Sequence, residues 1–199
     1  MLILSFDTAT DVATSALVRD GTVLGERASR AVRILADVEA LLGAADAGVE
    51  DVEAIVVGTG PGSYTGLRMG LVTARTLALS LGVTVAGIST LAALAAGAPD
   101  ALPVIDARRR QVFTLLAGQP VVLGPEELEV EEGTLYVGDG AVRYRAVLEE
   151  AGAIVPDDDA EVHIPWARHH AALAQTFGPP ELAQPIYLRA PDAERAIAR

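Results

Sequence analysis

Two amino acids with distinctive chemistry are missing from the sequence, cysteine and lysine. Without cysteine the chain can form no disulfide framework, thiol nucleophile or thiolate metal site. Without lysine it can form no Schiff base, and it lacks the residue that a standard phosphate-binding loop places on its ligand. All 15 basic residues are arginine. These absences exclude several classes of enzyme before any motif is considered.

Long apolar runs are also missing, although 51% of the residues are hydrophobic. None approaches the roughly 20 residues that cross a bilayer, so we expect no membrane association. The opening stretch Met1–Asp7 has no basic region and is unlike a signal peptide, which favours the cytoplasm. The formal net charge of −12 opposes binding to a polyanion. We therefore expect contact with nucleic acid only through a partner.

Histidine is scarce, and His163, His169 and His170 all lie near the C-terminal end. No H-x-x-x-H or H-E-x-x-H pair occurs, so the sequence offers no metal-binding motif and we expect no metal or other cofactor. Adjacent residues point to different faces of a helix. We therefore interpret His169 and His170 as surface residues.

The order of predicted elements indicates an internal duplication. Residues 1–98 are predicted to form the order βββαβαβα, and a similar order begins again after the breaker cluster at residues 97–100. A shift of 99 residues places Phe6-Asp7-Thr8 on Ile105-Asp106-Ala107. We predict two lobes, residues 1–98 and 99–199, in the α/β class. A duplicated unit of this order is typical of the actin, sugar-kinase and Hsp70 (RNase H-like) superfamily, whose nucleotide lies between the lobes.

Local patterns predict one turn and two helices. Asp20-Gly21 predicts a tight hairpin turn between two strands. Ser29 is expected to cap a helix that ends at Gly43, with apolar residues at helical spacing between them. A single helix is predicted for residues 141–151.

The segment Gly58–Gly66 is rich in glycine and lies between a predicted strand and a predicted helix. Phosphate-binding loops have this layout, but the segment fits none of their standard patterns. The Walker motif requires lysine, Ser63 replaces the third glycine of G-x-G-x-x-G, and the flanks of Ser63 are not those of an esterase nucleophile. We predict that the loop orients the following helix and does not hold phosphate. The residues assigned to this role are Gly60, Pro61, Gly62, Ser63 and Thr65.

The helix predicted for residues 66–81 carries a stripe of small residues, Gly66, Gly70, Ala74 and Ala78. Its other faces are apolar as well, which indicates burial on several sides. The lobe's own helices could cover the stripe, but we favour a partner protein. We predict that this helix and the preceding one, from Arg30 to Leu42, form a docking surface, with Gly70 as a close-contact point. The predicted partner-binding residues are Arg30, Leu35, Val38, Leu42, Gly66, Leu67, Met69, Gly70, Ala74 and Ala78.

The turn after the first strand, Asp7-Thr8-Ala9-Thr10, stands where that superfamily binds phosphate and Mg²⁺. A glycine normally lies two residues after the aspartate so that backbone can approach the phosphate, and here the residue is Ala9. We favour the simpler reading, in which Asp7 ends a strand and caps a turn. Asp7, Thr8 and Asp106 are therefore assigned to a degenerate nucleotide hairpin.

Several segments resemble the bacterial TsaB (YeaZ) family in the same order along the chain. They are residues 3–10, residues 60–70, residues 104–109, residues 138–141 and residues 185–189. The resemblance implies a noncatalytic subunit that helps to form threonylcarbamoyladenosine on tRNAs reading codons that start with A. It implies pairing with the paralogue TsaD through helices of the first lobe, with the ATPase TsaE joining them and tRNA bound only by the complex. The fold implied is the duplicated actin-like one.

Two departures qualify the resemblance. TsaD carries a metal-binding H-x-x-x-H after the last strand of its first lobe, and here Thr90 and Leu94 take those places. Arg30-Ala31 replaces the His-Ser of many TsaB relatives, which bears on partner contacts and not on chemistry. Three alternatives stay open: a homodimer of the isolated chain, a sugar-kinase-type phosphotransferase with Asp7 and Asp106 around Mg-ATP, and a metallopeptidase of the M22 (glycoprotease-like) type.

Overall fold

The computed structural model of the protein describes residues 1–189 and contains a five-stranded mixed sheet in its first half. Its order is β3-β2-β1-β4-β5, with β1, β2 and β3 antiparallel and β1, β4 and β5 parallel. The strands are β1 (Leu2–Asp7), β2 (Ala13–Arg19), β3 (Thr22–Ser29), β4 (Ala54–Gly58) and β5 (Thr84–Ile88). The predicted hairpin turn is confirmed, because Asp20 and Gly21 have φ angles of 49° and 81°.

Two helices cover one face of this first sheet, which we call its outer face. They are α1 (Ile34–Ala44), preceded by the 3-10 turn Ala31–Arg33, and α2 (Tyr64–Leu81). Ser63 caps α2, since its side chain accepts a hydrogen bond from the Gly66 amide. The predicted cap at Ser29 is wrong: the Ser29 hydroxyl bonds to the Asp37 carboxylate, and the chain enters α1 through the 3-10 turn.

The second half repeats the order of the first sheet in a broken form. Strands β7, β8 and β9 are antiparallel, while β6 and β10 pair in parallel. Val104 alone separates β6 from β7, and its amide donates to the Val137 carbonyl at 2.7 Å. The spatial strand order β9-β8-β7/β6-β10 thus matches the order β3-β2-β1-β4 of the first sheet, as expected for the actin-like α/β fold. The strands are β6 (Leu102–Pro103), β7 (Ile105–Arg108), β8 (Gln111–Leu116), β9 (Gln119–Leu123) and β10 (Tyr136–Val137).

The remaining helices are short, and two of them pack on the sheet of the half to which they do not belong in sequence. They are α3 (Thr90–Gly97), α4 (Asp139–Arg143), α5 (Arg145–Glu150) and α6 (Ala167–Leu173). The prediction of one helix over residues 141–151 is wrong, because Tyr144 leaves helical geometry between α4 and α5. Helix α3 packs with the second sheet, whereas α6 packs on the inner face of the first. The division into residues 1–98 and 99–199 stays a proposal about the duplication, and α6 lies in space with the first half.

No helix within residues 1–189 is both long and apolar enough to cross a membrane.

Candidate functional site

The glycine loop between β4 and α2 is held by hydrogen bonds within the chain. The Gly60 amide donates to the Thr90 hydroxyl at 3.1 Å, and the Ser63 amide donates to the Ala9 carbonyl at 2.7 Å. A Cβ atom at Gly62 would lie 2.3 Å from the Ala9 carbonyl oxygen, so glycine is needed for this close approach. Two amides that a phosphate could have used are therefore already bonded. This arrangement supports the interpretation that the loop orients α2.

The stripe of small residues on α2 faces the chain's own first sheet. A Cβ atom at Gly66 would lie 2.1 Å from the Thr8 carbonyl oxygen, and one at Gly70 would lie 2.3 Å from the Thr8 hydroxyl oxygen. Ala74 and Ala78 are buried in the same core. The predicted orientation of the stripe toward a partner is wrong, because close packing on β1 and β4 accounts for its small residues. Val38, Leu42 and Leu67, also predicted as partner-binding, are buried in this core.

Other residues of the same helices form an exposed apolar surface, which we call the helix patch. Val32 is 78% exposed in the turn before α1, and Val72 is 61% exposed on α2. A surface cavity of about 620 Å³ joins the two parts, with Val32 and Met69 in its lining. The helix patch consists of the exposed Val32, Leu35, Val72 and Leu79 and the partly exposed Met69. Exposed apolar clusters of this kind mark interaction sites.

The sequence prediction and the helix patch overlap only in part. Leu35, Met69 and the exposed Arg30 were predicted to contact a partner, and they remain accessible. Val32, Val72 and Leu79 were not among the predicted residues. The sequence feature that could have identified these residues is the apolar character of the helix faces opposite the small stripe.

The C-terminal segment of the described chain holds α2 in place. The Arg75 guanidinium donates to the Ala183 carbonyl at 2.6 Å, and the Ile186 amide donates to the Thr59 carbonyl at 2.8 Å. Tyr187 packs on Tyr64 with 5.4 Å between ring centroids. The orientation of α2 is thus fixed at both the glycine loop and the far end of the sequence.

Asp7 lies in a buried network and not at an open site. Its carboxylate accepts hydrogen bonds from the Thr90 hydroxyl at 2.6 Å and from the Ala9 amide at 2.7 Å. The Nε2 atom of His170 lies 2.8 Å from Asp7 Oδ2, and both side chains are almost fully buried. Burial by itself would raise the pKa of Asp7, but the adjacent His170 and the hydrogen bonds hold it below its ordinary value.

The interpretation of the histidines as surface residues is wrong. His170 is fully buried on the face of α6 that also buries Ala167 and Ala171. His163 is buried as well, and its Nδ1 accepts a hydrogen bond from the Gly138 amide at 3.0 Å. His169 is partly buried. The small residues beside His170 were a signal of close packing on that face.

A cleft of about 310 Å³ lies between the two sheets, near the β1–β2 turn and the start of α2. Asp106 lines this cleft, whereas Asp7 does not, so the structure does not bring these two predicted residues together at one open site. Thr8 is buried, and its hydroxyl donates to the Gly66 carbonyl at 2.7 Å. Arg108 bridges the cleft by contacting Asp11 at 2.6 Å and Asp106 at 3.0 Å. This cation is therefore already neutralised by carboxylates of the chain.

Asp139 is a buried carboxyl in the lining of the cleft. Burial raises its pKa to about 6, although a hydrogen bond from the Asp106 amide at 2.9 Å opposes the change. A carboxyl whose pKa is higher in the folded chain favours folding while protonated, so stability should fall as the pH rises from about 4 to 6. Asp139→Asn is expected to stabilise the protein at pH 7 by about 1 to 2 kcal/mol. Urea unfolding of both proteins at pH 4.5 and 7 would test this, and an equal difference at both values would contradict it.

Within residues 1–189 no group of three or more His, Asp or Glu side chains is arranged to hold a metal ion.

Comparison with known proteins identifies the family. A family model described as "TsaD: tRNA N6-adenosine threonylcarbamoyltransferase" matches residues 8–141. The tRNA threonylcarbamoyladenosine biosynthesis protein TsaB of Escherichia coli (strain K12) is 30% identical, over 95% of this chain and 95% of that protein. The chain belongs to the TsaB (YeaZ) family. TsaB of Bacillus subtilis (strain 168) is 42% identical over 57% of this chain and 54% of its own length.

A solved structure of the same family agrees in fold. YeaZ from Pseudomonas aeruginosa superposes with a TM-score of 0.79 at 28% identity, covering 94% of this chain and 99% of that one. The agreement extends over both halves of the TsaB-type chain described above. The predicted family and the predicted actin-like fold are therefore confirmed.

Proposed function

We propose that this chain is a noncatalytic subunit in the synthesis of threonylcarbamoyladenosine at adenosine 37 of tRNAs reading codons that start with A. In this proposal it pairs with a TsaD-type paralogue through the helix patch. A TsaE-type ATPase joins the pair, tRNA is bound only by the complex, and the setting is the cytoplasm. The observation that carries the proposal is the helix patch itself, which leaves apolar side chains of two helices uncovered in a member of the TsaB family.

The physical basis for pairing is the burial of apolar surface. Val72 and Leu79 stand two turns apart on one face of α2 and are 61% and 68% exposed. Covering a side chain of this size contributes roughly 1.5 to 3 kcal/mol. A few such anchors dominate the binding energy of a typical interface. The stiff core beneath them, with Gly70 against Thr8, presents them at a fixed angle.

The contacts of Asp7, of the glycine loop and of α3 support a noncatalytic role. Asp7 is occupied by His170, Thr90 and the Ala9 amide, so it is not available to hold Mg²⁺. Two amides of the glycine loop are bonded within the chain. Thr90 and Leu94, at the places of the paralogue's metal ligands, are buried. We therefore expect the isolated chain to bind ATP weakly and to hydrolyse none.

The two alternative enzyme functions predict different properties of the purified chain. A sugar-kinase-type phosphotransferase would bind ATP with micromolar affinity, which calorimetry on the isolated protein would detect. A metallopeptidase would hold about one tightly bound transition metal for each chain, which elemental analysis would detect. Either result would contradict the proposal.

The substitution Val72→Glu tests the pairing. It places a charge on the helix patch, and we expect affinity for the TsaD-type partner to fall about ten- to a hundredfold. Because Val72 is exposed, the melting temperature of the isolated chain should stay within about 2 °C of the original. Calorimetry with the purified partner and a tRNA modification assay measure the two effects.

Val23→Glu is the matched control, since Val23 is exposed on the β2–β3 hairpin and lies outside the helix patch. It should leave partner binding unchanged. Undiminished binding of the Val72→Glu protein would contradict the proposed surface, whereas a complete lack of partner binding by the original chain would contradict the proposed function.

A further inference from the structure

The two halves of the chain differ in what covers the outer face of each sheet. In the first half α1 lies between β3 and β4 in sequence and packs on β2 and β3. In the second half the corresponding segment, between β9 and β10, contains only the 3-10 turn Pro125–Glu127 and irregular chain. Helices α4 and α5 follow β10 as α2 follows β4. The duplication therefore lacks one helix, the equivalent of α1.

A groove of about 510 Å³ lies at this position, over the ends of β8 and β9 and beside residues 127–131. Leu116 at its edge is 57% exposed, although it continues the face of β8 that buries Val112 and Thr114. Tyr136 and Leu128 form part of the apolar core beneath. The apolar side chains that line the groove include Leu102, Leu116, Leu123, Leu128, Val130 and Tyr136.

The rim of the groove is acidic. Glu127, Glu129 and Glu131 line it, and all three are exposed. Glu127 accepts a hydrogen bond from the Gly124 amide, whereas Glu129 and Glu131 form no salt bridge within residues 1–189. Three carboxylates along one rim repel an acidic ligand and favour a basic one.

We propose that this groove, which we call the β8–β9 groove, binds an amphipathic helix of a partner protein that carries lysine or arginine beside its apolar stripe. A helix suits the groove because the first half places α1 on the equivalent face. A second copy of this chain is a poor occupant, since each copy has a net charge of −12. The inference goes beyond the proposed tRNA function and does not depend on it.

A pair of synthetic peptides tests the chemistry of the occupant. Each would be about four turns long with leucines at helical spacing, and they would differ only in carrying lysine or glutamate beside the leucines. We expect the lysine peptide to bind at least about tenfold more tightly to the full chain by fluorescence anisotropy. Leu116→Glu should weaken its binding at least about tenfold, and Glu129→Arg with Glu131→Arg should reverse the preference. Equal binding of both peptides, or binding indifferent to both variants, would overturn the proposal.

Cross-linking in cells then distinguishes between the possible occupants of the β8–β9 groove. A photoreactive residue at position 116 should give an adduct whose partner segment, mapped by mass spectrometry, is an amphipathic helix with basic flanks. The same residue at position 23 should not give this adduct, and the Glu129→Arg, Glu131→Arg background should lose it. Adducts to a second copy of the chain, adducts to its own residues 190–199, or no adduct above the level at position 23 would each overturn the proposal.

Discussion

His170→Leu is expected to lower the free energy of unfolding by about 3 to 5 kcal/mol, because it leaves the Asp7 carboxylate buried without its imidazole partner. Leucine has a volume close to that of histidine, so the effect would come mainly from the charge. For a chain of this length the melting temperature should fall by about 6 to 20 °C. Differential scanning calorimetry at pH 7 measures the change.

Two further variants isolate the contact between Asp7 and His170. His169→Leu changes the partly buried neighbour on the same helix and should cost much less. Asp7→Asn combined with His170→Leu should recover part of the loss, since the amide keeps an acceptor for Thr90 and carries no charge. A melting temperature of His170→Leu within about 2 °C of the original would show that the pair does not stabilise the fold.

The contribution of Asp7 to stability depends on pH with a definite sign. The pKa of Asp7 is lower in the folded chain than in the unfolded chain. Its contribution to stability is therefore complete above the unfolded pKa of about 4 and is lost as the pH falls through the folded value. The difference between the original protein and His170→Leu should shrink in acid below about pH 4.

Gly70→Leu is expected to destabilise the fold by about 3 kcal/mol or more, or to prevent folding. Even a Cβ atom at this position would lie 2.3 Å from the Thr8 hydroxyl oxygen and 3.8 Å from Val57 Cγ2. Overpacking of a close contact costs about 1 to 3 kcal/mol, and displacing the Thr8 hydroxyl from the Gly66 carbonyl adds to that cost. The gain in helix propensity is smaller, somewhat under 1 kcal/mol. Urea unfolding would measure the net effect.

A milder substitution shows where the contact lies. Gly70→Ala should be destabilising alone, but Thr8→Ala should relieve it, because the next atom of Thr8 is its Cβ at 3.6 Å. Thr76→Leu, on the exposed side of the same helix, is the matched control and should change stability by less than about 0.5 kcal/mol. If Gly70→Leu melts normally and only loses partner binding, the internal packing described above is wrong.

Local patterns predicted much of the fold because strand alternation and turn residues act over a few neighbours. The Asp20-Gly21 turn and the order of the helices and strands along the first half follow from such patterns. The small stripe from Gly66 to Ala78 correctly indicated a close approach. It could not say which surface approaches, since the distance from Gly70 to Thr8 depends on how β1, β4 and α2 assemble.

The burial of His170 was not predicted for the same reason, because it depends on contacts between distant parts of the chain. His170 follows Asp7 by more than a hundred and sixty positions in the sequence, and no spacing rule joins residues so far apart. The break at Tyr144 was missed because its neighbours all accept helical geometry. Features set by neighbours in sequence were thus accessible to sequence reasoning, and features set by contacts across the fold were not.

The return of α6 to the first sheet has a consequence for how the protein is made. Ser5 donates a hydrogen bond to the Ala167 carbonyl, 162 residues further along the chain. At about 5 to 20 residues per second, a ribosome needs roughly 8 to 32 s to synthesise the stretch that separates them. Until then Ile3, Ala16 and Val56 have no α6 to cover them. During this time the inner face of the nascent first half is exposed to water and to other chains. We therefore expect chaperones that shield apolar surface to bind it during translation.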